Sequence, residues 1–211
     1  PCGDLTSTAN TVTYESASYG TVYDDFTYEA EIVCTRLVQP TASNTLFVRG
    51  TPQPYQTAAK WWSSGIAFNI SMTGKYSIFR YQGTKMTALQ SWTTPAGNII
   101  NLTGSPNTLK VEANGGTLTF SINGTPVKTI TGQTLLSGQV GLGMVRSIPT
   151  TQAGPNDTLV VNSATVTPGA PPAATRVSLQ QEKANQDANR ALPSPDPLFA
   201  PKSSSGIAGS R

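Results

Sequence analysis

Residues 107–145 read NTLKVEANGGTLTFSINGTPVKTITGQTLLSGQVGLGMV, and this stretch decides the fold. Apolar and polar residues alternate in three short runs: Leu109, Val111 and Ala113; Leu118, Phe120 and Ile122; Val127 and Ile130. Successive side chains of a strand point to opposite faces, so each run presents one row to a core and one to water. The runs are punctuated by Asn114-Gly115-Gly116 and by Asn123-Gly124. Asn-Gly supplies the two positive φ angles that a type I′ hairpin turn requires. The stretch predicts a three-strand antiparallel meander, followed by a fourth strand over 138–145.

The same pattern extends in both directions. In DDFTYEAEIVCTRL, Phe26, Tyr28, Ala30, Ile32 and Cys34 face one way, while Thr27, Glu29, Glu31 and Thr35 face the other. Further strands are expected over 46–50, 65–71, 75–81, 85–92 and 157–165, with an edge strand near 11–15. No helical period is convincing before residue 170. Roughly ten to twelve short strands between turn signals predict an all-β, two-sheet antiparallel sandwich rather than βαβ units. The composition changes after residue 168. Residues 168–176 read PGAPPAATR, and the chain stays rich in Pro, Ala and Ser to residue 211. We therefore divide the chain into a sandwich over 1–168, with 1–20 as an arm and edge strand, and a long extended tail over 169–211. Such a tail buries too little apolar surface to order itself. A protein partner is expected to hold it, with Leu198 and Phe199 as anchors.

Composition narrows the function. The 211 residues are only 12% charged, with a formal net charge of +3. That is too weak and dispersed for a nucleic-acid surface. No apolar run approaches the roughly 20 residues of a membrane-spanning helix. Histidine is absent, which removes the usual general base and the commonest metal ligand. No Gly-x-Ser-x-Gly elbow is present either. The two cysteines, Cys2 and Cys34, suit a disulfide formed in an oxidising compartment. Two separate thiols, or a lipid on Cys2, are the other readings. Tyr55, Trp61, Trp62 and Trp92 are candidate sugar-stacking platforms, since aromatic rings flank amide and hydroxyl side chains there. Rings in a core or a protein interface are the alternative. The Asn-x-Ser/Thr sequons at Asn69, Asn101, Asn123 and Asn156 are expected by chance in a chain this rich in Asn, Ser and Thr.

Taken together, GKYSIFRYQG, ALQSWT, the meander with its Asn123-Gly124 tip, SGQVGLGM and LVVNSATV resemble the concanavalin A-like, laminin-G-like jelly-roll superfamily. The resemblance spans roughly residues 22–167 and implies a jelly-roll sandwich. It implies calcium at loop ends as a possible cofactor, for which Asp24, Asp25, Asn156 and Asp157 are the oxygen donors available. The superfamily's retaining glycosidases carry a Glu-x-Asp-x-x-Glu strand. Here Glu29-Ala30-Glu31-Ile32-Val33-Cys34 puts a cysteine in the third place, so catalysis is not expected. The leading expectation is a non-enzymatic, extracytoplasmic structural or accessory subunit, docking on a larger assembly through sandwich and tail. The alternatives are a carbohydrate-binding module and a glycoside hydrolase using Glu29 and Glu31.

Overall fold

The computed structural model describes residues 3–5, 12–34, 43–53, 62–71, 73–102, 104–147 and 157–169. Their strands are β1 (Gly3–Leu5), β2 (Val12–Tyr23), β3 (Phe26–Cys34), β4 (Ser43–Pro52), β5 (Trp62–Ser71), β6 (Tyr76–Gln82), β7 (Lys85–Thr93), β8 (Pro106–Asn114), β9 (Thr117–Ile122), β10 (Thr125–Ile130), β11 (Gly138–Ser147) and β12 (Asp157–Pro168). The expected meander is β8–β9–β10. Across β8 and β9, Leu109 faces Ile122, Val111 faces Phe120 and Ala113 faces Leu118, and all six are buried. Asn123 and Gly124 have φ of 49° and 79°, the signature of the type I′ turn.

The strands form two six-stranded antiparallel sheets, ordered β1-β12-β3-β8-β9-β10 and β2-β11-β4-β5-β6-β7. The first sheet contributes Phe26, Tyr28, Ala30, Ile32 and the meander's apolar row to the core. The second contributes Leu46, Val48, Ile66, Phe68, Ile78, Val140 and Met144. Phe68 meets Phe120 edge-on between the layers, with ring centroids 5.2 Å apart. The Tyr76 hydroxyl donates to the Val127 carbonyl at 3.0 Å, a polar tie from one sheet to the other.

The edge strand expected near 11–15 runs on to Tyr23. Its Ser/Thr/Gly-rich half has no apolar alternation to announce it, because an edge strand buries little. Its ladder with β11 shifts register between Gln139, paired with Val22, and Val140, paired with Tyr19. Gly20 and Thr21 are the extra residues of that bulge. At the other end of the described chain, Gly169 closes β12 by donating its N–H to the Asp25 carbonyl at 2.7 Å. The tail beyond it, residues 170–211 with Leu198 and Phe199, lies outside the described residues.

Candidate functional site

β4 and β5 are buried on both faces. Their inward row belongs to the core, so the outward row forms a second layer of packing. Phe47 and Trp62 stack there at 4.7 Å with an interplanar angle of 13°, beside Ala67 and the half-buried Tyr81. The backbone makes room for the indole: a Cβ on Gly50 would sit 2.3 Å from the Trp62 ring, and one on Gly141 would sit 2.5 Å from it. Next to this cluster runs a buried polar ladder. Thr45 donates to Asn69 Oδ1 at 2.7 Å, and Asn69 Nδ2 donates to Ser77 Oγ at 3.2 Å. Asn69 is thereby an internal strut, which explains why its sequon falls in mid-strand.

Toward the β7 edge the same face opens to water. Phe79 pairs with Ala88, and Tyr81 pairs with Met86. Trp92 meets Phe79 edge-on at 6.5 Å and leaves 42% of its surface exposed. Met86 is 55% exposed. The face thus grades from a closed aromatic stack at Trp62 to an accessible indole at Trp92, with Phe79 supporting it from behind. On the same strand Gln90 Nε2 donates to Thr93 Oγ1 at 2.8 Å, and the ladder partners of these two are the core residues Ile78 and Tyr76.

The candidate platforms therefore part company. Trp92 is accessible. Trp62, for which a stacking platform and a core ring were the two readings, is 2% exposed and locked under Phe47. Its position at the start of β5 packs it onto Gly50 and Gly141, where ring burial outweighs the cost of its unpartnered Nε1. Tyr55 and Trp61 lie outside the described residues.

Glu29 and Glu31 sit on the outward face of the other sheet. Glu29 pairs across the ladder with Lys110 and Thr165, and Glu31 accepts from Asn162 Nδ2 at 2.6 Å. Among the described residues, the second sheet carries one carboxylate, Glu15, and its register with Met144 turns it inward.

Asp25 and Asp157, two of the oxygen donors considered for calcium, lie at opposite ends of the sheet. Asp25 adjoins Phe26, which pairs with Pro168 at one end of β12, whereas Asp157 begins that strand. Twelve residues at about 3.3 Å each put the two ends roughly 35 Å apart. Moreover, the Asp25 carboxylate is already taken: Oδ1 accepts from Gly115 N at 2.7 Å and faces Arg49 Nη2 at 3.4 Å. Asn156 lies outside the described residues. No cluster of three or more metal-ligating side chains occurs among the described residues.

Cys2 and the Cys34 side chain are likewise outside the described residues, but the ladder places their neighbours. Gly3 pairs with Leu159, which pairs with Cys34. Two strand spacings, about 10 Å, separate Gly3 from Cys34, with β12 between them.

Neither a protein-family model nor a curated protein matches this sequence. Solved structures do match the fold. Carbohydrate-binding module CBM66 from Bacillus subtilis is similar at a TM-score of 0.54 and 16% identity, over 78% of this chain and 94% of that one. The chain is also similar to the metal-free Emp46p carbohydrate recognition domain, at a TM-score of 0.56 and 12% identity over 81% and 88% of the two chains. A glycoside hydrolase family 16 endo-glucanase from Bacteroides ovatus matches at 0.51 and 11% identity, over 72% and 73%. The fold is a concanavalin A-like jelly roll. At these identities the likeness to other jelly rolls is one of backbone alone. The loops and side chains of this jelly roll are its own.

Proposed function

We propose that this jelly roll is a non-catalytic carbohydrate-binding domain that works outside the cytoplasm. The observation that carries the reading is Trp92: an accessible indole, buttressed by Phe79, on the open part of the second sheet's outward face. A sugar ring stacks on such a surface through its C–H face while neighbouring amides and hydroxyls meet its own hydroxyls. The names of the similar structures, a carbohydrate-binding module and a carbohydrate recognition domain, support the same class of ligand. The absence of outward carboxylates on this face among the described residues favours binding over hydrolysis, which needs a carboxylate pair. A glycan array followed by calorimetry with the best hit tests the proposal. Binding that Trp92→Ala removes supports it; an array on which no glycan binds sinks it.

A second reading, docking on a larger protein assembly, draws on Met86 of the same strand. Trp and Met are both enriched at protein interfaces, and both are exposed here. Loss of co-purification with such an assembly on Met86→Glu, with no glycan bound by the wild type, would favour this reading.

A further inference from the structure

The sandwich gapes along one side. Ala164 of β12 pairs with Ala30, which is fully buried in the core, so both face the space between the sheets. Yet Ala164 is exposed. On the opposite wall, Leu142 pairs with the core residue Leu46 and with Ala17 of β2, so Ala17 also points inward; it too is exposed. Inward-facing side chains that water can reach mean that the two layers diverge here. The space between them is a cavity of about 530 Å³. Leu142 and Met144 line one wall, and Leu159 and Val161 line the other. That volume falls within the range that holds drug-sized ligands.

The floor carries a polar signal. Tyr28 lines the cavity and is 3% exposed. A phenol at such a wall offers one hydrogen bond to a molecule in the cavity. The other titratable groups in the lining are Tyr19 and Glu15, the latter turned inward opposite Met144. Among the described residues, no lysine or arginine lines the cavity.

We propose that this cleft binds a neutral, mainly apolar small molecule, an alkyl chain ending in one hydroxyl or carbonyl, whose polar end meets the Tyr28 hydroxyl. The apolar walls exclude water from the chain and disfavour a charged end group, and the phenol satisfies the polar end. The site is distinct from the Trp92 face and stands or falls without it.

The test uses the full chain with the neutral fluorophore N-phenylnaphthylamine as reporter. Saturable, one-to-one enhancement is expected, with displacement by decanol and at least ~10-fold weaker displacement by decanoate. Ala164→Trp and Ala17→Trp fill the cleft from opposite walls at exposed positions and should each abolish binding while leaving the far-ultraviolet circular dichroism unchanged. Tyr28→Phe should leave the fluorophore bound but weaken decanol about 5-fold, the size of one hydrogen bond. Absence of saturable binding, binding untouched by both tryptophan variants, or equal displacement by decanoate would each overturn the proposal.

Discussion

Arg49 grips Asp25 and the turn that carries it. The guanidinium Nη2 lies 3.4 Å from Asp25 Oδ1 and 3.0 Å from the Asp24 carbonyl, and Nε reaches the same carbonyl at 3.3 Å. Nη1 donates to Gly115 O at 2.7 Å and to Leu135 O at 3.1 Å. All five N–H donors of the side chain are thus used. One fully buried cation ties together the β2–β3 turn, the β8–β9 turn and the segment before β11. Burial lowers the Arg49 pKa, and the Asp25 and Asp24 charges push it back up. The residue also holds a left-handed φ of 50°, which a non-glycine residue adopts at a cost of about 1 kcal/mol or more.

Removing this side chain strands a carboxylate and three carbonyls at once. Arg49→Met should lower stability by about 3–5 kcal/mol, the usual penalty for breaking a buried pair. Arg49→Lys should recover only part of it, because an ammonium cannot reproduce the planar fork. Urea unfolding of the two variants checks both statements; a midpoint for Arg49→Met equal to the wild type would refute them.

Asn123 joins backbone shape to side-chain chemistry. Its Oδ1 accepts from Thr108 N at 2.7 Å, while Nδ2 donates to Ile99 O at 2.6 Å and to Asn107 Oδ1 at 3.0 Å. Asn123→Gly keeps the positive φ and loses the network, for a cost of about 1–3 kcal/mol. Asn123→Ala loses both and should be a further ~1 kcal/mol less stable. Thermal or urea melts of the pair give the order directly.

Trp62 should report on its glycine bed. A methyl group on Gly50 forces the ring away from Phe47, so Gly50→Ala should cost about 1–3 kcal/mol as overpacking and shift the tryptophan emission to longer wavelength. Unchanged emission would mean that the indole does not rest where the backbone leaves room for it.

Alkaline unfolding should involve Tyr28. Burial raises its pKa well above the usual value of about 10. The unfolded chain therefore loses that proton first, and stability falls as pH rises past about 10. Tyr28→Phe should shift the alkaline unfolding midpoint upward, and in the wild type the Tyr28 phenolate absorbance should appear together with loss of the native dichroism.

Trp92→Ala should separate recognition from folding. The ring is 42% exposed and meets Phe79 edge-on, so stability should fall by only about 1 kcal/mol. Glycan affinity, measured by calorimetry on the same preparation, should drop below detection.

The fold was legible because its strands obey period two where it matters. Leu109, Val111, Leu118 and Phe120 alternate cleanly, and Asn123-Gly124 announces its own turn. Arg49 was not legible. Read locally it closes a short strand; its partners Asp24, Gly115 and Leu135 converge only once both sheets are assembled. The choice between the two readings of Trp62 was not legible for a related reason: alternation assigns a face but does not say that β5's outward face is covered. Of the aromatic candidates, Trp92 lay on a strand whose neighbours leave it open. The cleft above Tyr28 left no trace at all, since divergence of two sheets is a property of their edges and not of any residue pattern.

The bulge at Gly20 and Thr21 has a colloidal consequence. β2 forms the outer margin of its sheet, a twelve-residue ribbon with one row of amides not engaged by another described strand. A straight ribbon of that length is a template onto which a foreign strand can zip. Two surplus residues bend the template and break its spacing, so an incoming strand finds no long matching register. That kink should hold down strand-to-strand association at high protein concentration.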